Sequence, residues 1–123
     1  MLLTCFSTRK KNHECAIGDA EISISESGDV YPCQLLHLPQ FLTGNIRTQS
    51  LHDIYSTSEV LKKCSMLNVL EVRGCRSCAI RFICGGACRA RAFYEMGDIG
   101  HSDKFCEYEK LAFINGLFEI HDM

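Results

Sequence analysis

No apolar stretch in this sequence approaches the roughly 18 residues that span a bilayer, so no transmembrane helix is expected. A secretory leader pattern is missing too. Met1-Leu2-Leu3 is too short for an apolar leader core, and Arg9-Lys10-Lys11 follows it instead of preceding it. The sequence has no strong charge of either sign. A net charge of −2 and a pI near 6.2 exclude the broad basic surface of a general nucleic-acid binder. There is no phosphate-binding glycine loop, no internal repeat and no low-complexity segment. His13, His37, His52, His101 and His121 are scattered without ligand spacing and read as surface or capping residues. Asp103 and Glu107 flank Cys106 without suggesting a general acid–base pair. No catalytic residue is predicted.

Cysteine, by contrast, is abundant, with nine in 123 residues. A chain of this length is one domain, or a part of a larger protein. It can bury roughly two-thirds of its unfolded surface, and nine cysteines suggest that its core does not work alone. Without a leader the expected setting is the reducing cytoplasm, where clustered cysteines bind metal more often than they form disulfides.

The chain is organised around Gly74-Cys75-Arg76-Ser77-Cys78-Ala79-Ile80-Arg81-Phe82-Ile83-Cys84-Gly85-Gly86-Ala87-Cys88, in which four cysteines are spaced C-x2-C-x5-C-x3-C. A hydrophobic core does not need that spacing. A polynuclear metal site does, because several thiolates must converge on one small object, and short gaps let neighbouring thiolates turn inward together. Gly85 and Gly86 allow close backbone approach and offer N–H groups to sulfur.

The surrounding chain reads as small α+β: an N-terminal β-hairpin, cysteine-rich metal-binding loops and about three short helices. Residues 1–14 contain no convincing periodic element and read as a tail or the stub of an upstream domain. Cys5 lies there, either as a stray thiol or as a ligand. Glu21-Ile22-Ser23-Ile24-Ser25 alternates as a half-buried strand does. Glu26-Ser27-Gly28-Asp29 is a turn in which Gly28 is free to take φ > 0. Val30-Tyr31 returns, and Pro32 stops the strand. The hairpin is expected to bring Cys15 and Cys33 near each other, as shared metal ligands or as two core thiols. Ser50-x-x-Asp53 and Ser56-x-x-Glu59 fit helix N-caps, the second before a helix over about 58–70. Cys64 lies on the apolar stripe of that helix and reads as core. A further helix is expected over about 86–96, ended by Gly97 at C′. The last, 107–120, is apolar on more than one face and must be buried or docked. These readings divide the chain into 1–14, a metal-binding domain over 15–106, and a docking helix over 107–123.

Arg73, Arg76, Arg81, Arg89 and Arg91 are five of the seven arginines, and no acid lies between Glu71 and Glu95. They read either as cations offsetting a thiolate-bound cluster or as a solvated basic face.

Taken together, Cys15 is followed by twelve residues, Gly28, four residues and Cys33; then come Cys75, Cys78, Cys84 and Cys88, and finally Cys106. This pattern resembles the seven-cysteine signature of the SPASM domain, the C-terminal extension of many radical SAM enzymes. Gly28-Asp29-Val30-Tyr31-Pro32-Cys33, Gly44-Asn45-Ile46 and Cys84-Gly85-Gly86-Ala87-Cys88-Arg89-Ala90 look like that family's wording, and the resemblance covers roughly 15–110. It implies two auxiliary [4Fe–4S] clusters. Cys15, Cys33 and Cys88 would serve the first, with Cys5 as a candidate fourth ligand or one iron left open. Cys75, Cys78, Cys84 and Cys106 would serve the second, with Gly28, Gly85 and Gly86 as supporting backbone positions. It implies a radical SAM barrel as partner, in the same longer chain or as a separate subunit, and a peptide or protein substrate, with no nucleic acid and no membrane. The family's C-x3-C-x2-C motif is absent: Cys84-x3-Cys88 would need its third cysteine at Arg91. S-adenosylmethionine is therefore expected to act only through that barrel, and the chain alone is expected to be inactive.

The function expected is electron transfer and substrate positioning during peptide or protein modification. A zinc-stabilised interaction module is the alternative, although zinc ribbons usually show two x2 knuckles and only one is present. A disulfide-stabilised binding protein fits poorly with the odd cysteine count.

Overall fold

The computed structural model describes residues 2–4 and 15–119. Strands β1 (Leu2–Thr4), β2 (Glu21–Ile24), β3 (Asp29–Tyr31) and β4 (Gly44–Asn45) are followed by helices α1 (Leu51–Thr57), α2 (Glu59–Ser65), α3 (Arg81–Cys84), α4 (Arg89–Met96) and α5 (Cys106–Glu119). The described residues divide into two compact units, one holding 2–4 with 16–66 and the other holding Cys15 with 67–119. The chain is thus a small α+β fold. Among the described residues no helix is long and apolar enough to cross a membrane.

In the first unit the strands form an antiparallel sheet in the order β1-β2-β3-β4. The expected hairpin is β2–β3, with Ser23 opposite Tyr31 and Ile24 opposite Val30. Gly28 closes it at φ +90°. A Cβ there would stand 2.9 Å from Asn45 Oδ1. Asn45 in turn donates to Ser27 O and Asp29 Oδ1, which ties β4 to the turn. Leu2–Thr4, within the stretch expected to lack regular structure, pairs with β2, with Leu3 opposite Ile22. Three residues are too few to show a period, so only the neighbouring edge defines that strand.

Ile22, Val30, Ile54 and Leu61 form the core of this unit. Ser50 caps α1 by accepting from Asp53 N. The second cap is Ser58 rather than Ser56: its hydroxyl accepts from Leu61 N. Helix α2 also ends at Ser65, five residues earlier than its apolar stripe suggested. Asn68 explains the stop. Its side chain accepts from Leu70 N and its carbonyl accepts from Glu71 N, which offers the backbone a turn in place of another helical bond. Cys64 is buried in the core, and Gly18 packs so tightly on it that a Cβ would lie 3.1 Å from Cys64 Cβ.

In the second unit Val69, Val72 and Cys75 form a small buried cluster. Residues Gly85, Gly86 and Ala87 take φ of +66°, +90° and +57°. Three successive left-handed residues cannot open an α-helix. Helix α4 therefore starts at Arg89, not Gly86, with Cys88 as its N-cap. Gly97 ends it at φ +72°, the C′ role expected. Helix α5 starts one residue early, at Cys106, and none of its side chains is fully buried. Tyr108, Leu111, Ile114, Leu117 and Phe118 all face outward.

Candidate metal centre

The second unit gathers its cysteines by short local devices. Cys75 and Cys78 bracket a turn in which Cys78 N donates to Cys75 O at 3.0 Å. Arg81 closes the next step, its Nη1 donating to Cys78 O at 2.7 Å. The single-turn helix α3 then carries Cys84 at its end. The left-handed run 85–87 swings the backbone to Cys88, whose sulfur accepts from Arg91 N at 3.5 Å. Asp103 O accepts from Cys106 N at 3.0 Å, which sets Cys106 at the start of α5.

Cys75, Cys78, Cys84 and Cys106 line one cavity, together with Arg81, Gly86, Asp103 and Lys110. The cavity is small and partly open to solvent. These are the four cysteines that the family pattern assigns to one cluster. Their charges feel one another. Burial pushes the Cys75 thiol up, Arg89 opposes that, and Cys106, Cys84 and Cys78 each raise it further. Burial likewise raises Cys106, with Lys110 opposing it and Glu107, Cys78 and Cys84 adding to it.

No disulfide joins the described cysteines. Among the described residues no three His, Cys, Asp or Glu side chains close tightly enough to hold a single ion; the four thiols ring a cavity instead. That donor set fits a polynuclear iron–sulfur group, whose irons each take one thiolate. The chain also supplies N–H donors with no protein acceptor: Arg81 Nε and Arg89 Nε are both buried and unpartnered.

Cys88 and Cys15 belong to the same unit as these four, and Cys33 belongs to the other. Cys33 is buried, and its sulfur accepts from Leu35 N at 3.4 Å. Cys5 lies outside the described residues, as do His13 and His121. Gly85 and Gly86 are buried, and Gly86 lines the cavity. Gly28 builds the hairpin turn of the first unit. His37 stacks on Tyr31 with ring centroids 4.3 Å apart and bonds Ser23, a role on the sheet surface.

The arginine cluster separates by environment. Arg73 pairs with Asp98, and Arg76 donates to Leu70 O. Arg91 pairs with Asp103 at 2.8 Å and Glu109 at 3.4 Å. Arg81 lines the cavity, and Arg89 alone of the five is fully buried.

Asp103 does more than its sequence context suggested. Its carboxylate accepts from Cys88 N at 3.0 Å, from Phe105 N at 3.0 Å and from Arg91 Nε at 2.8 Å. Burial pushes this carboxyl up, but those three donors overcome it and hold the group below its ordinary value. A single side chain thus fixes the amide of one candidate ligand and the helix start that carries another. The available signal was its place three residues before Cys106, the position of a capping acid.

A family model described as SPASM, an iron–sulfur cluster-binding domain, matches residues 15–79. An AdoMet-dependent heme synthase of Methanosarcina barkeri is 35% identical over 95 residues, covering 76% of this chain and 26% of the relative. A PqqA peptide cyclase of Granulibacter bethesdensis is 37% identical over 89 residues, covering 69% and 23%. An AdoMet-dependent heme synthase of Nitratidesulfovibrio vulgaris is 33% identical over 96 residues, covering 77% and 24%. The chain therefore spans about a quarter of the length of the curated relatives it matches. With four thiols around one cavity and the family match across more than half its length, the chain belongs to the SPASM family of iron–sulfur cluster-binding domains.

Proposed function

We propose that this chain is the auxiliary iron–sulfur part of a radical SAM maturase, serving electron transfer and substrate positioning. The observation that carries the reading is the single cavity lined by Cys75, Cys78, Cys84 and Cys106. These four would hold one [4Fe–4S] cluster. The family pattern assigns Cys15, Cys33 and Cys88 to a second, with Cys5 offered as its fourth thiolate. A bound [4Fe–4S] cluster supplies a one-electron donor and acceptor. The protein's own residues do the rest. The thiolates anchor the group, and Arg81 and Lys110 offset negative charge at the cavity wall. Asp103 fixes the Cys88 amide.

The names of the relatives support the wider setting. One group is named for AdoMet-dependent heme synthesis and the other for cyclising a peptide. Here the partner proposed is a radical SAM barrel, in the same longer chain or as a separate subunit, with a peptide or protein as substrate. The chain has no C-x3-C-x2-C motif, so cleavage of S-adenosylmethionine falls to that barrel. The outward apolar residues of α5 are proposed to dock on it.

Redox titration of the anaerobically purified chain tests the reading. The expected result is a brown chromophore that bleaches on dithionite and returns on reoxidation, with a reduced-state paramagnetic signal. A colourless chain holding zinc would replace this function with a structural interaction module.

A further inference from the structure

Asp103 is bonded to a cysteine of each set. Its side chain is 1% exposed and borders the cavity of Cys75, Cys78, Cys84 and Cys106. Donors occupy both of its oxygens, which suits a strut rather than a ligand. Oδ1 accepts from Phe105 N at 3.0 Å. Oδ2 accepts from Cys88 N at 3.0 Å and from Arg91 Nε at 2.8 Å. Its main-chain carbonyl accepts from Cys106 N at 3.0 Å. One residue therefore holds the amide of Cys106, a member of the cavity set, and the amide of Cys88, which the family pattern assigns to the other set. Capping α5 requires only the bonds to Phe105 and Cys106. The reach of Oδ2 across fifteen residues to Cys88 does nothing for that helix end. Arg91 braces this reach. Its amide donates to the Cys88 sulfur at 3.5 Å, and its guanidinium joins Asp103 to Glu109 on α5.

We propose that Asp103 is a positioning residue that couples the two cysteine sets, so that a cluster held by one set makes the other hold its own more firmly. The proposal rests on the two-cluster reading above and adds how the two sites communicate. A cluster bound through Cys106 fixes the start of α5, and with it the Asp103 carbonyl. The carboxylate of the same residue is then held where Cys88 N meets it. Less conformational freedom is left to lose when Cys88 binds. Such coupling is reciprocal and ordinarily amounts to about 5–150-fold in affinity. The loop 85–87 also joins Cys84 to Cys88 through the chain, and the variants below separate that route from Asp103.

Four full-length chains are purified without oxygen: wild type, Cys78→Ser/Cys84→Ser, Asp103→Asn, and all three changes combined. Iron loss to EDTA is followed for each. Amide exchange of the segments holding Cys88 and Phe105 is followed by mass spectrometry. Wild type is expected to lose its iron in one phase. The irons remaining in Cys78→Ser/Cys84→Ser are expected to leave at least about fivefold faster, while the Cys88 and Phe105 segments gain exchange together. Asp103→Asn is expected to lose iron in two phases, one of them matching the combined variant within about twofold. That comparison lies within one background, so a general loss of stability cancels. Three results overturn the proposal. The first is remaining irons that leave at the wild-type rate. The second is an equal acceleration in the Asp103→Asn background, which gives the coupling to the loop 85–87. The third, which needs no Asp103 variant, is a Phe105 segment that loosens while the Cys88 segment stays protected. A wild-type chain with no iron, or with only about four irons, fails the two-cluster reading itself, and the proposal with it.

Discussion

Replacing Gly86 with Ala is expected to weaken the candidate centre through two separable effects. Gly86 sits at φ +90°, and forcing a Cβ into that left-handed region costs about 1–2 kcal/mol. The new Cβ would also stand 3.1 Å from Arg89 Nη2 and 3.4 Å from its Cζ. The guanidinium cannot simply step aside, because Ile99 O and His101 O hold it at 2.8 and 2.9 Å. Relieving the contact means stretching at least one hydrogen bond to a charged donor, at about 1.5–3 kcal/mol. Together the cost is about 2.5–5 kcal/mol. With a urea slope of about 2 kcal/mol per molar, the midpoint for loss of cluster absorbance falls by about 1–2.5 M. Gly97→Ala provides the comparison. It has φ +72° but nothing within 4 Å of the added Cβ, so it should show the backbone cost alone. Equal midpoints for the two variants would refute the claim that Arg89 is pinned against Gly86.

Cys64→Ser is expected to leave iron content unchanged while lowering stability by about 1–3 kcal/mol, because it puts a hydroxyl into a buried position of the first unit; lost iron would make Cys64 a ligand. Asp103→Asn replaces an acceptor of three hydrogen bonds with a group that must present an NH₂ to one side. It is expected to lower the urea midpoint by about 1 M or more and to speed iron loss to a chelator, and a variant equal to wild type in both would remove Asp103 from the centre. Iron removal is expected to melt the second unit, whose described buried cluster of Val69, Val72 and Cys75 is small, while the sheet and α1–α2 persist. Circular dichroism with hydrogen exchange follows this, and uniform protection without iron would contradict it.

The hairpin, the Gly28 turn, the Ser50 cap, the Gly97 stop and the burial of Cys64 could all be read from local pattern, because each depends on neighbours a few residues away. Spacing singled out Cys75, Cys78, Cys84 and Cys88, whereas Cys106 as the fourth cysteine of the cavity came only from the family resemblance, because it lies eighteen residues beyond Cys88. The end of α2 was harder: Leu67 and Leu70 continue the helical stripe, yet the Asn68 side chain captures the backbone. The start of α4 was hidden because a double glycine permits a helix as well as a left-handed loop. Arg89 and Asp103 were visible only as charges. Their importance lies in burial and in bonds to residues ten to fifteen positions away, which no local window contains. The strand at Leu2–Thr4 depends wholly on its partner β2.

The central claim is that the thiols of Cys75, Cys78, Cys84 and Cys106 surround an iron–sulfur cluster, with a second held by the remaining family cysteines. The most direct test counts iron and acid-labile sulfide per chain after purification without oxygen, for wild type and for Cys78→Ser/Cys84→Ser. About eight irons and eight sulfides in wild type, falling to about four of each in the double variant, is the predicted result for two four-iron clusters of which the variant strips two thiolates from one. About two zincs with no sulfide, or an iron count that the double variant leaves unchanged, would contradict it.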